Sequence, residues 1–411
     1  MNDTKRTPSV VAMRVGEFRA LWSAEMLSVF GDQVARVALA LLVFARTNSA
    51  VLAALTYALT FVPAILGGLL LSGLADRFPR RTVIVVADAG RGCLAAAMAV
   101  PGVPLPVLWG LIGLLTVVGA PFKAAQLALI TNVLPKDALQ AGQAVRQVGS
   151  QIAQVAGFGL GGVLVLALGT TASLALNAAT FFVSAAIVRV WVRSRSAPTT
   201  DQNAEDSVPA GRPDGRLIAI FMLAGLTGLL VVPEGLAAPF ASAAGVASFG
   251  VGLLMAADPV GSAVGGWWAA RRPVEVSSAW RPVIVPAVLA GVPLGLCAVL
   301  PGAWWAAALW AISGILSTIY LVRMVAAVGQ LVPNARRGAV MGRLSTCLYT
   351  SQGVAILCGG VVADQVGPAT AVALAGAAAI FCAVVAGLVW QSARPRQVRG
   401  VADEPAPAIA A

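Results

Sequence analysis

Apolar runs about as long as a bilayer-crossing helix, each bounded by short polar or charged clusters, recur twelve times along the chain. They cover 17–44, 49–73, 82–101, 105–131, 141–167 and 171–192, then 216–240, 246–270, 282–301, 304–331, 339–363 and 367–391. A helix needs about 20 apolar residues to cross a hydrocarbon core about 30 Å thick. Only helices and closed barrels satisfy every backbone polar group in lipid. Runs of this length therefore predict an all-α membrane protein of twelve transmembrane helices. The first run is too long and too polar in its flanks for a cleaved signal peptide.

Composition agrees: 59% of the 411 residues are hydrophobic, 11% are charged, and mean hydropathy is +0.86. Soluble domains carry about 25% charged residues. The net charge of +11 raises the question of an anionic partner. Its placement answers it, because basic residues fall on alternate connections. Lys5, Arg6 and Arg14, then Arg77, Arg80 and Arg81, Lys136, Arg193 and Arg195, Arg271 and Arg272, and Arg336 and Arg337 share one side, while the opposite side has essentially Arg46 alone. That asymmetry predicts cytoplasmic termini in the plasma (inner) membrane. Basic loops there meet membrane lipids with anionic headgroups, and no nucleic acid is expected as a partner. Histidine is absent and the five cysteines lack metal-binding spacing. No cofactor or metal is expected, and any proton chemistry falls to carboxylates.

Two halves are legible. Residues 193–215 are polar and rich in Pro, Asp and Ser, which reads as a flexible cytoplasmic linker. It separates an N-terminal six-helix bundle (1–192) from a C-terminal one (216–393), and 394–411 read as a disordered tail. Val133-Leu134-Pro135 recurs as Leu331-Val332-Pro333 and Gly161-Gly162 as Gly359-Gly360, both displaced by 198 positions. The shared offset suggests a parallel duplication about an axis along the membrane normal.

Ionisable side chains inside spans cost about 2.5–3.5 kcal/mol each on an insertion scale, so each needs a partner or a task. Glu25, Asp32 and Arg36 fall on one stripe of the first helix, where Asp32 and Arg36 are spaced to pair. Asp88 and Arg91 share a face of the third. Glu234, Asp258 and Arg323 come from three spans of the second half. Lys123 and Arg146, nearer the cytoplasmic surface, read as snorkelling cations. Internal ion pairing and a place in transport or proton coupling are both open to these groups. Glu234 stands between Pro233 and Gly235, and Asp258 precedes Pro259, so both helices are expected to break there. A carboxylate in a low-dielectric cavity favours its neutral form and can exchange protons. Gly157, Gly159, Gly161 and Gly162 form a small-residue face in the fifth span, matched by Gly353, Gly359 and Gly360 in the eleventh, suited to tight packing or to sliding.

The second and third spans are joined by Ser72-Gly73-Leu74-Ala75-Asp76-Arg77-Phe78-Pro79-Arg80-Arg81. This stretch resembles the loop signature of the major facilitator superfamily, Gly-x-Leu-Ala-Asp-Arg-x-Gly-Arg-Arg, with Ser72 and Pro79 in place of its glycines. Arg19-Ala20-Leu21-Trp22, Gly31-Asp32-Gln33, Ala87-Asp88 with Arg91, and Val232-Pro233-Glu234-Gly235 are similar to segments of bacterial drug and siderophore exporters. The fifth span resembles an antiporter motif, Gly-Pro-x-x-Gly-Gly, with Phe158 at the proline. The resemblance implies two six-helix bundles that rock about a central cavity, and a cytoplasmic gate in which Asp76, beside Arg77, Arg80 and Arg81, meets the start of the eleventh helix near Gly338. It implies a monomer with a small-molecule substrate and protons as partners. Export of a hydrophobic or amphipathic molecule by proton antiport is the leading expectation. Import of a polar metabolite by symport is the second. A membrane enzyme or a receptor is the third, disfavoured by the lack of a catalytic constellation.

Overall fold

The computed structural model describes residues 8–71, 73–135, 138–195, 215–246, 248–271, 280–300, 302–332 and 334–393. Most of the expected linker, the expected tail, and the basic residues Lys5, Arg6, Lys136 and Arg272 lie outside that set. The elements are all helical: α1 (Pro8–Arg14), α2 (Gly16–Thr47), α3 (Ala50–Ala58), α4 (Val62–Leu71), α5 (Leu74–Arg77), α6 (Arg80–Met98), α7 (Leu105–Val133), α8 (Leu139–Trp191), α9 (Gly215–Gly235), α10 (Ala237–Ala243), α11 (Ser248–Arg271), α12 (Arg281–Leu296), α13 (Ala303–Leu331), α14 (Asn334–Val366) and α15 (Pro368–Ser392).

Among the described residues, nine helices are long and apolar enough to cross a bilayer, with α3 and α4 counted as one. α8 supplies two crossings, because Gly169 (φ 82°) breaks its 53 residues into 139–168 and 170–191. α6 carries four charged side chains, and α12 is only 16 residues long; with these two the crossings number twelve. Their exposed faces carry large apolar side chains, among them Leu69, Leu70, Val190 and Phe381, as lipid contact demands.

One set of turns orders the bundle. The positive-φ residues are Asn48, Gly102, Gly169, Gly245, Gly302 and Gly367. They stand at the six connections on the face opposite the termini. Paired across the halves they lie 197, 200 and 198 positions apart. A chain that reverses within a few residues needs left-handed backbone, which glycine adopts without a Cβ clash. Both halves thus place a positive-φ residue at the same reversals, glycine at all but Asn48, which extends the offset seen in the sequence.

Two interruptions matter for the site. The second span is not continuous, since Leu59–Phe61 separates α3 from α4. In the seventh span the helix stops at Gly235, one residue after Glu234, and α10 resumes at Ala237. The break expected at Pro259 does not occur. α11 runs through it, as a transmembrane helix packed among neighbours can.

The halves meet along two seams. α14 packs on α3, and 139–168 of α8 packs on α11. The glycine pairs divide the work in the same way in each half. A methyl group at Gly161 would press Val34 and Val37 of α2, within its own half. One at Gly162 would sit 2.6 Å from the Ser248 carbonyl of α11, across the seam. Likewise Gly359 faces Val232 of α9, whereas Gly360 lies against Ala50, Val51 and Ala54 of α3. Gly157 packs on Phe30 and Gln33 of α2, and Gly353 meets Val62 of α4. Gly159 does not belong to this face. It looks into open space, as a position 200° around the helix from Gly157 should.

Candidate functional site

Three groups of buried polar side chains lie between the helices. The first is built on α2 and α6. Gly31 lets α2 approach 170–191 so closely that a methyl there would meet Asn177 and Thr180. Asp32, the next residue, accepts a hydrogen bond from Arg91 Nη2 at 2.7 Å. Arg91 Nη1 stands 3.3 Å from Asp88 Oδ1, and Ser184 donates to the other Asp88 oxygen. The Arg91 guanidinium also lies 4.1 Å from the Phe181 ring centroid. Asp32 and Arg36, spaced to pair, do not do so. Arg91 takes Asp32, and Arg36 rests on the rings of Tyr57 and Phe61 at 5.5 and 5.6 Å. Asp88 is fully buried, so removing its cation would strand a charge at a cost of about 3–5 kcal/mol.

The second group spans the junction of the halves. Tyr57 of α3 donates its hydroxyl hydrogen bond to Glu234 of α9. Arg36 interacts electrostatically with both. Asp258 of α11 lies within electrostatic reach of Glu234 and of Tyr320, whose hydroxyl pairs with Thr227 at 2.7 Å. Arg323 does not join these carboxylates. It donates to the Pro282 carbonyl at 2.7 Å and faces the Trp268 ring, tying α13 to the start of α12.

The third group is nearer the termini. Glu25 accepts from Arg146 at 2.8 Å and from Gln126 at 3.1 Å, joining α2, α7 and α8. Arg146 is therefore an ion-pair partner and not a snorkelling cation. A charged side chain pointing into a bundle finds a carboxylate when one sits across the helix interface.

A cavity of about 280 Å³ opens beside the first two groups. Asp32, Arg36, Arg91 and Lys123 line it together with Leu39, Phe61, Met98, Ile112, Leu115, Thr60, Thr116, Asn177 and Tyr349. All but Tyr349 come from the first half. Glu234 and Asp258 stand outside this wall.

Towards the face opposite the termini the halves are tied. Asp364, near the end of α14, accepts hydrogen bonds from Ser49 Oγ at 2.8 Å and from the backbone N–H groups of Ala50 at 2.6 Å and Val51 at 3.3 Å. A carboxylate thus caps the N-terminus of α3 from the other half. At the terminal face Arg80 donates to the Ala128 carbonyl at 2.8 Å and Arg81 to the Arg189 carbonyl. Both fasten the α5–α6 turn within the first half. Arg77 and Gly338 are exposed, and the Asp76 side chain lies outside the described residues. Spacing gave no signal for Tyr57 or Asp364, since one reads as an apolar-run aromatic and the other as an acid at a span end.

The sequence profile of the Major Facilitator Superfamily matches residues 21–216. The multidrug efflux pump Tap of Mycobacterium tuberculosis is 29% identical over 176 residues, which is 39% of this chain and 41% of that pump. Its Mycobacterium bovis counterpart gives the same figures. The aligned region therefore spans about two fifths of the length of these curated relatives. In three dimensions the chain resembles a bacterial homolog of the human lysosomal transporter Spinster in its inward-facing, occupied conformation. The TM-score is 0.73 at 15% identity, covering 92% of this chain and 96% of that one. The peptide transporter POT in complex with sulfate gives 0.71 at 13% identity, covering 93% and 97%. The nucleoside transporter NupG gives 0.68 at 11%, covering 91% and 99%. Likeness at such identities is one of fold, and that fold is the all-α architecture of twelve membrane helices in two bundles.

Proposed function

We propose that this chain, a member of the major facilitator superfamily, exports a hydrophobic or amphipathic small molecule in exchange for protons by alternating access. The observation that carries the reading is the hydrogen bond from Tyr57 to Glu234, which joins the two halves beside a charged cavity. Protonation of Glu234 changes what its oxygens can accept, and so changes the contact that holds the halves together. A proton taken up at that carboxylate is in this way coupled to the rocking of the bundles. The likeness to drug exporters supports the direction and the substrate type.

The basic residues on alternate connections support termini in the cytoplasm of a plasma (inner) membrane. The described conformation is then closed to the outside, where Asp364, Gly360 and Gly162 seal the seams. Residues 193–215 serve as the cytoplasmic linker of the two bundles in a monomer. Asp76, with Arg77, Arg80 and Arg81, closes the cytoplasmic side against the start of α14 near Gly338 when the outer side opens.

Purified protein in proteoliposomes tests this. Outward movement of the uncharged dye N-phenyl-1-naphthylamine against its gradient is expected when the outside is acid, and it should stop when a protonophore collapses the gradient. Uphill efflux that persists without the gradient overturns the proton coupling. A second reading, import of a polar metabolite by symport, draws on the four charged side chains with Thr60, Thr116 and Asn177 in the cavity wall. Uphill uptake of a polar solute with no movement of that dye selects it.

A further inference from the structure

The charges that face the cavity do not balance. Three cations line it, Arg36, Arg91 and Lys123, against the single carboxylate of Asp32. The other acids stand back from the wall. Asp88 is fully buried behind Arg91, and Glu234 is covered on the far side of Tyr57. Glu25 feels Lys123, but both of its oxygens already accept hydrogen bonds, one from Arg146 and one from Gln126.

The cations differ in what they are given. Arg91 is held by two carboxylates and a ring face. Arg36 has the faces of Tyr57 and Phe61 and the more distant charge of Glu234 behind Tyr57, a weaker neutralisation than a direct ion pair. Lys123 is exposed to the cavity and forms no ion pair with a described residue. Intramembrane cations without a carboxylate mark the path of a charged ligand. Around them the wall is apolar on Leu39, Phe61, Met98, Ile112 and Leu115. Low-dielectric surroundings strengthen an electrostatic contact and repel a like charge.

We infer that the transported molecule is an amphipathic anion: an apolar body against Phe61, Met98 and Leu115, with a carboxylate, sulfonate or phosphate group directed to Lys123 and Arg36. The inference rests on the transport reading and names the substrate class for that site. A cationic amphiphile would face three positive side chains on the wall against the one carboxylate of Asp32.

The test uses the full chain in proteoliposomes and a matched pair of probes, 8-anilinonaphthalene-1-sulfonate and the uncharged N-phenyl-1-naphthylamine, with ethidium as the cation. Counterflow and competition report affinity. The sulfonate is expected to compete at about a tenth of the concentration needed for its neutral partner, the scale of one charge-assisted hydrogen bond. Lys123→Gln should erase the preference for the sulfonate over its neutral partner, and Lys123→Arg should keep it. The paired variants separate loss of charge from loss of fold. Equal affinity for the pair, or transport of ethidium and the neutral probe but not the sulfonate, overturns the anion assignment and leaves transport standing. Movement of none of the three overturns both.

Discussion

Replacing Asp364 with Asn should shift the transporter towards the state open on the face opposite the termini. Three donors converge on that carboxylate: the Ser49 hydroxyl and the N–H groups of Ala50 and Val51, at 2.8, 2.6 and 3.3 Å. Asparagine keeps one acceptor oxygen but turns the other position into a donor that faces donors. A carboxylate at a helix N-terminus is favourable by about 0.3–1 kcal/mol when exposed and up to about 2 kcal/mol when partly buried. Asp364 is exposed while Ala50 is buried, so the loss belongs between those limits, about 1–2 kcal/mol with the forfeited hydrogen bond. An equilibrium between two states moves by about 5–30-fold for that amount. Spin labels at Val100 and Val299, exposed on the two halves near the same face, read the change without touching the contact. The background needs its five cysteines replaced by serine. The expected result is a longer-distance population that grows in Asp364→Asn while yield and elution profile stay as in the parent protein. A distance distribution identical to that of the parent protein refutes the latch.

Glu234→Gln should abolish gradient-driven efflux while preserving substrate exchange, and Tyr57→Phe should weaken coupling in the same direction; unaltered uphill transport in Glu234→Gln removes that residue from the coupling mechanism. Gly360→Ala places a methyl 2.6 Å from the Ala54 Cβ and should disfavour the closed outer seam by about 1–3 kcal/mol, whereas Gly159→Ala, with nothing within 4 Å, serves as the neutral control in the same distance measurement. Cysteines introduced at position 204 and at Asn48 should react with impermeant reagent from the cytoplasmic and outer sides respectively; labelling of both from one side overturns the orientation. Asp76→Asn should favour the inward-open form, the reverse of Asp364→Asn, and an unchanged separation between the cytoplasmic ends of α4 and α14 rules out that gate.

The spans and their order were legible because a bilayer imposes length and apolarity on each crossing, and those two quantities are written directly in the sequence. The pairing of charges was less so. Asp32 and Arg36 satisfy the i, i+4 rule, yet Arg91 of α6 reaches Asp32 first because Gly31 brings the wall of 170–191 close and α6 presents a guanidinium at the same depth. Helical spacing describes neighbours on one helix and says nothing of what stands opposite. Arg146 misleads for the same reason, since its carboxylate partner lies 121 positions away in the chain. Pro259 was read by a rule for isolated helices, whereas α11 is flanked closely by α13 at Gly261 and Gly314. The interruption after Glu234 was legible, because Pro233 and Gly235 weaken one turn from both sides.

The duplication explains why a seal at one face can be released without unfolding the other. Gly162 and Gly360, 198 positions apart, each bring their own helix into backbone contact with the second helix of the opposite half. Their neighbours Gly161 and Gly359 fix those same helices to the first helix of their own half. Under the proposed alternating access each bundle would move as a packed unit, and the contacts that would open include the second glycine of each pair, Gly353 with Val62, Tyr57 with Glu234, and Asp364. The α3–α4 unit and α14 run antiparallel across one seam, so the N-terminus of each lies near the C-terminal end of the other. Asp364 occupies one of these ends, and Asp76 is proposed to serve the other. If both act, the two carboxylates favour opposite states through the same charge–dipole interaction of about 0.3–1 kcal/mol at an exposed site. The difference between the states then stays small enough for one protonation at Glu234, or one bound substrate charge, to decide it.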